Sequence, residues 1–322
     1  HVLFASDGAS AVEQALKIAI QFGSNVGRPG KRRFACLHGA YHGDTLGAMA
    51  VGYLEDWHRP FKPLLAEAVN LPMHGAESGM RDWRPLLHAH REELAAVIVE
   101  PLCLGAAGMR MYSPEALAEL AAWCSENEIL LIVDEIAMGF GRTGRWFAYE
   151  HAGIDPDIVC VGKALTGGTL PLSATIVRDR VYETFTDQPV DRTLQHGHTF
   201  CGNPIAAAAA IEALALYAEL DLPARAEALG RRLRAALVPL RGENGIREIR
   251  SLGLIGAVEL SPEPDPHPIS RAHRARLLLQ AEGILLRPLG PVLYLMPPLV
   301  ISELELDALA DAFVRAIKTA CK

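Results

Sequence analysis

The sequence lacks any apolar run of about 18 residues, the length that would cross a bilayer. Even the alanine-rich stretch after Pro204 is interrupted by Glu212, so no membrane-spanning segment is expected. It also lacks a CxxC pair: Cys36, Cys103, Cys124, Cys160, Cys201 and Cys321 lie far apart. That spacing suits neither a zinc site nor a disulfide framework and points to reduced thiols in a cytoplasmic protein. Positive charge is not in excess. With 31 Lys and Arg against 38 Asp and Glu, both signs dispersed and a net charge of −7, the chain offers no basic patch for nucleic acid and no polybasic stripe for a lipid surface. No G-x-G-x-x-G opens a helix after the first strand, which argues against a nicotinamide dehydrogenase. An initiator Met and a signal peptide are absent too, and His1–Phe4 reads as a strand already under way; the expectation is a chain that begins inside a longer protein, with upstream site residues out of view.

Apolar residues, by contrast, make up half of the 322 positions, enough for one large domain and a smaller companion. From Phe4 to about Thr199 short apolar runs alternate with helical patterns, the signature of an α/β fold with a mainly parallel sheet between helices. Strands are expected at Arg33–Leu37, Ala96–Glu100, Ile129–Val133, Ile158–Val161 and Leu172–Val177. Ser10–Phe22 carries a helical stripe (Val12, Ala15, Leu16, Ala19, Ile20), and Ser10 with Glu13 has the spacing of a capping box after a Gly8 turn. Asn203-Pro204 predicts the start of a helix to about Leu220 with a small-residue face at Ala206–Ala210. The rhythm then changes to a helix (Ala226–Leu240), strands Ile246–Ser251 and Leu254–Leu260, a helix (Ser270–Gln280), two more strands, and a last helix capped by Ser302 and Glu305. The reading is a large domain over 1–210 and a small α+β domain over 211–322, with a Pro-rich loop at Ser261–Pro268.

Chemistry is concentrated at strand ends. Leu130-Leu131-Ile132-Val133 runs into Asp134-Glu135, and Ile158-Val159-Cys160-Val161 into Gly162-Lys163; open α/β sheets bind ligands at those ends. A pyridoxal phosphate (PLP) enzyme needs such a pair: a lysine to condense with the aldehyde and move the proton, and an aspartate to keep the pyridine nitrogen protonated. Taken alone, Asp134 suits a helix cap and Lys163 a solvated lysine equally well. A phosphorylated aromatic cofactor also needs a phosphate cradle and a stacking surface. Gly8-Ala9-Ser10 at a helix N-terminus offers the first, Tyr41 in Tyr41-His42-Gly43 the second, and Thr199, just before a helix, a further hydroxyl.

These motifs resemble a family. Asp134-Glu135-Ile136 with Gly139-Phe140-Gly141-Arg142-Thr143-Gly144, then Gly162-Lys163-Ala164-Leu165-Thr166-Gly167-Gly168, then His198-Thr199-Phe200-Cys201-Gly202-Asn203-Pro204 are similar to the class III aminotransferases of PLP fold type I. The resemblance covers essentially the whole chain. Gly108-Met109-Arg110-Met111-Tyr112, Pro171-Leu172-Ser173-Ala174-Thr175 and Ile284-Leu285-Leu286-Arg287-Pro288 through Tyr294-Leu295-Met296-Pro297-Pro298 are closer to the members that aminate 8-amino-7-oxononanoate with S-adenosylmethionine in biotin biosynthesis. The resemblance implies Lys163 as the Schiff-base lysine, Asp134 as the pyridinium partner, Tyr41 as the stacking residue, and Thr199 as a phosphate ligand given across a homodimer interface. Gly8 and Ala9 match the phosphate loop, although relatives usually carry a hydroxyl where Ala9 stands; backbone N–H groups must suffice, or Ser10 substitutes. Arg287 matches the arginine that pairs with the oxo acid's carboxylate, Arg142, Tyr294 and Gly197 fall on the substrate side, and Glu100 lies near the cofactor. Relatives carry roughly a further hundred residues upstream, which shape the substrate pocket. Other readings left open are lysine as donor, an ω-amino acid or diamine transaminase, and a truncated, non-catalytic dimerising chain.

Overall fold

The computed structural model describes residues 1–75, 77–186, 189–263 and 268–322; residues 264–267 of the Ser261–Pro268 loop lie outside them. The chain forms two compact units: residues 1–105, 111–139 and 148–216, and residues 106–110, 140–147 and 217–322.

The strands, in chain order, are β1 (Val2–Ala5), β2 (Arg33–Leu37), β3 (Val69–Leu71), β4 (Leu94–Val99), β5 (Cys103–Leu104), β6 (Arg110–Met111), β7 (Leu130–Asp134), β8 (Ile158–Val161) and β9 (Ser173–Val177). Seven build the sheet of the first unit in the order β1-β9-β8-β7-β4-β2-β3. The β8-β7-β4-β2-β3 pairings are parallel, whereas β9 runs antiparallel to both β8 and β1. β4, β7 and β8 are buried at every position, which is why they read as unbroken apolar runs rather than alternating ones.

The helices are α1 (Gly8–Asn25), α2 (Leu46–Val51), α3 (Glu55–His58), α4 (Met80–Ala89), α5 (Pro114–Glu126) and α6 (Asp179–Tyr182) in the first unit, and α7 (Pro204–Glu219), which belongs to it as far as Leu216. α1 lays Ala11, Val12, Ala15, Leu16, Ile18 and Ala19 on the core with Ala96, Ile98, Ile132, Ile158 and Cys160 of the strands. Its start differs from the Ser10–Glu13 box. Asp7 is the N-cap and its side chain accepts the Ser10 N–H, because Ser10 is already a buried helical residue and Glu13 is drawn to another helix, described below.

The second unit holds α8 (Leu222–Leu237), β10 (Ile246–Leu252), β11 (Ile255–Leu260), α9 (Arg271–Ala281), β12 (Val292–Leu295) and α10 (Glu303–Ala320). Its strands form an antiparallel sheet, β10-β11-β12, closed over a core of Leu233, Leu237, Val258, Leu279, Leu293, Phe313 and Ile317. The capping box of Ser302 and Glu305 forms as read. Only one strand, β12, follows α9. Pro288 and Pro291 lack N–H donors, and Leu289 and Val292 bond reciprocally in a tight turn instead. The segments 106–110 and 140–147 belong to this unit because Leu254 donates its N–H to the Arg142 carbonyl (3.1 Å) and Arg250 Nη2 donates to the Gly108 carbonyl (2.7 Å).

Candidate active site

Four adjacent parallel strands deliver the polar residues of the first unit. Tyr41 and His42 follow β2, Glu100 follows β4, Asp134 ends β7 with Glu135 after it, and Lys163 follows β8 by one glycine. These are the carboxyl ends where an open sheet binds its ligand. β7 and β8 are joined at this end by the Glu135 N–H donating to the Cys160 carbonyl (2.8 Å), so Asp134 and Lys163 leave neighbouring strands.

Asp134 is 4% exposed. Its Oδ2 faces His42 Nδ1 at 2.7 Å and its Oδ1 accepts the Ile136 N–H at 3.0 Å. A ring nitrogen facing a carboxylate carries the hydrogen, so His42 donates through Nδ1, and its buried Nε2 has no partner. Glu100 bridges two loops: Oε1 accepts the Tyr41 N–H and Oε2 the Gly105 N–H, both at 2.9 Å. Burial pushes its carboxyl up to about 7. Glu135 accepts the Tyr149 N–H (2.9 Å), leaves Oε2 unpartnered, and is pushed by burial up to about 8. Lys163 is exposed and opens a short 3₁₀ turn with a left-handed backbone, φ 41°, a conformation that costs a non-glycine residue about 1 kcal/mol or more and clusters at functional positions.

The cradle lies at the start of α1. Ser10 cannot stand in for the missing hydroxyl at Ala9, since its N–H and Oγ–H both go to Asp7 (3.0 and 2.9 Å). The N–H groups of Gly8 and Ala9 are left to hold an anion. Gly43 has φ +124°, and a Cβ there would sit 2.4 Å from Ala9 Cβ; one on Gly8 would meet Ile136 at 3.0 Å. The turn after Tyr41-His42, the first turn of α1 and the residues after Asp134 are thus in contact. A second tie is Glu13 Oε1, which accepts the N–H groups of Gly47 (2.8 Å) and Ala48 (3.3 Å) at the start of α2. Gly197 and Thr199 lie in an exposed loop held to α1 by Lys17 Nζ, which donates to the Gln195 carbonyl (2.9 Å) and approaches His196 Nδ1 (3.2 Å).

Arg142, Arg287 and Tyr294 belong to the second unit. Arg142 Nη1 donates to the carbonyls of Pro297 (2.7 Å) and Leu254 (3.3 Å), and burial lowers its guanidinium to about 10. Tyr294 sits on β12 opposite Ala257. Arg287 is exposed in the segment between α9 and β12, with no ion-pair partner among the described residues.

Residues 1–317 match the family model described as aminotransferase class-III. The chain belongs to the class III aminotransferases. This class III aminotransferase is 41% identical to an adenosylmethionine-8-amino-7-oxononanoate aminotransferase of Synechococcus elongatus, over 97% of this chain and 76% of that protein. The solved structure of the enzyme so named from Methanocaldococcus jannaschii superimposes with a TM-score of 0.92 at 36% identity, covering 99% of this chain and 75% of that one. An amine transaminase from an uncultivated Pseudomonas species, solved with PLP bound, gives a TM-score of 0.92 at 31% identity over 100% and 77% of the two chains. The residues of this aminotransferase fit such a cofactor. A carboxylate for a ring nitrogen, a buried imidazole with one unpartnered nitrogen, free N–H groups at a helix start and a lysine on the next strand make up the donor set it requires.

Proposed function

We propose that this chain transfers the amino group of S-adenosylmethionine to 8-amino-7-oxononanoate, giving 7,8-diaminononanoate for biotin biosynthesis, with PLP as cofactor. The observation that carries the reading is the buried pair of Asp134, at the end of β7, and His42, after β2, with Lys163 after the neighbouring strand β8. The choice of substrates is supported by relatives of that name at 33 to 41% identity over nearly the whole chain.

Bound PLP supplies an aldehyde and an electron-withdrawing ring, through which an amino group can leave one substrate and be delivered to another. Lys163 would hold the aldehyde carbon, and its Nζ is the base that would move the proton at the donor's Cα and at the acceptor's carbon. Asp134 would hold the pyridine nitrogen; His42 and the Ile136 N–H fix its carboxylate. Tyr41 would cover the ring face, with its backbone set by Glu100. The Gly8 and Ala9 N–H groups would hold the phosphate, joined by Thr199 from the second subunit of a cytoplasmic homodimer. Arg287 would pair in a bidentate way with the oxo acid's distant carboxylate, with Arg142, Tyr294 and Gly197 lining the substrate side.

The test is the visible absorption spectrum of the purified protein before and after S-adenosylmethionine. A yellow band that bleaches with this donor supports the proposal. The likeness to an amine transaminase favours one competing reading: a band that bleaches only with lysine, an ω-amino acid or a diamine would move the substrate there. Absence of any band would favour a non-catalytic chain.

A further inference from the structure

β9 holds two hydroxyls that the chemistry above does not use. Ser173 and Thr175 are both 0% exposed, and as alternate positions of one strand they share a face of the sheet. Both reach α1. Ser173 Oγ donates to the Asp7 carbonyl at 2.6 Å, and Asp7 is the N-cap of α1. Thr175 Oγ1 stands 2.8 Å from the Ala11 carbonyl and 2.9 Å from Gln14 Oε1, and its one hydrogen serves either acceptor. Gln14 is 2% exposed among the apolar residues that α1 buries, and its amide is oriented by Nε2, which donates to the Phe4 carbonyl of β1 at 3.0 Å. Two neighbouring strands, β1 and β9, are thus tied to the start of α1 by polar contacts inside an apolar core.

We propose that Ser173 and Thr175 are positioning residues, which fix α1 along its own axis and so set the N–H groups of Gly8 and Ala9 at the right distance from Lys163. The inference rests on the phosphate cradle proposed above. The aldehyde carbon and the phosphate of PLP hang on one ring, so the separation of Lys163 and the cradle must match it. Apolar contacts are non-directional, whereas a hydrogen bond has a narrow range of length and angle, and the two hydroxyls therefore decide where the helix starts. This cradle has particular need of them. With Ala9 in place of a hydroxyl residue and Ser10 spent on Asp7, backbone N–H groups face the anion there, and the worth of such groups depends on being preorganised. β9 is placed to set the distance, since it pairs with β8, Ala174 opposite Val161. A Cβ on Gly162, the residue before Lys163, would lie 3.4 Å from Ser173 Cβ and 3.5 Å from Ile136. The same Ile136 closes on Gly8 and donates its N–H to Asp134. Ser173 stands between the lysine's strand end and the first turn of α1.

The test titrates the apoenzyme with PLP and with pyridoxal, which has the aldehyde and lacks the phosphate, following the yellow band. The wild type is expected to hold PLP far more tightly than pyridoxal. Ser173→Ala and Thr175→Val should each weaken PLP about fivefold, the worth of one hydrogen bond, and leave pyridoxal unchanged; Thr175→Ser, which keeps the hydroxyl, should restore the affinity. Ser173→Ala decides alone if Thr175→Val does not fold, since it removes a single oxygen. Equal losses for PLP and pyridoxal, or a lowered melting temperature with both affinities unmoved, as a merely structural tie would give, would overturn the proposal. A wild type that binds pyridoxal as tightly as PLP would remove the cradle itself and the inference with it. A wild-type preference for PLP that survives both substitutions would sink the positioning role alone.

Discussion

Lys163 and Asp134 stand out in the chain because each ends an apolar run, and a charge at the end of a buried strand is visible without knowing what it touches. Lys163→Ala is expected to abolish turnover, since no other amine is assigned to the proton transfer; spectrum and steady-state rate check it together. Arg287→Ala should raise KM for the oxo acid about tenfold or more, the worth of a charge-assisted bidentate pair, with the donor half-reaction spared. Glu135 gives a pH prediction. Its folded carboxyl is held near 8 against an ordinary 4.5, mainly by burial with a smaller contribution from Asp134. The folded form therefore keeps a proton that the unfolded chain releases, and stability falls as pH rises from about 4.5 to about 8. Glu135→Gln should flatten this fall in a series of thermal melts; an identical slope would show that Glu135 does not titrate in that window. His42 carried no signal of its own in the sequence, because its role is set by a carboxylate from another strand.

At the scale of elements, α1 does more than its stripe announces. The Ser-x-x-Glu spacing suggested a box within the helix, yet Asp7 makes the cap and Glu13 serves α2. Capping is a contest among nearby oxygens, and spacing cannot reveal a rival from another element. Glu13→Ala would leave the α2 start without its acceptor and cost about 1 kcal/mol. It would also loosen the turn carrying Tyr41 and His42 from the α1 start, so PLP should dissociate more readily, measured by cofactor titration of the apoenzyme. Glu13→Gln, which keeps an acceptor oxygen, should recover most of both. Asn203, in contrast, caps the helix it immediately precedes, as the Asn-Pro pair suggested; there the sequence was sufficient.

For the molecule as a whole, α7 is apolar apart from Glu212 and Glu219, with Ile205 70% and Ile211 67% exposed. A helix of that kind is ordinarily covered, which fits the proposed homodimer. Ile211→Glu is expected to shift the sedimenting species toward the monomer and lower PLP retention, if Thr199 acts across the interface. The sequence alone determined the layered α/β class, the strands β2, β4, β7, β8 and β9, the helices α1, α7, α8, α9 and α10, and which strand ends carry a lysine and a carboxylate, because apolar periodicity and local caps act over a few residues. Tertiary structure decided the rest: that β9 turns antiparallel beside β8, that residues 106–110 and 140–147 join the second unit, that Ser10 is spent on Asp7, and that His42 meets Asp134. Apart from the Ser10–Asp7 bond, a local choice between two nearby caps, each of these is a hydrogen bond or packing choice between residues remote in the chain, and its partner is fixed by distance in space, which no spacing along a single sequence encodes.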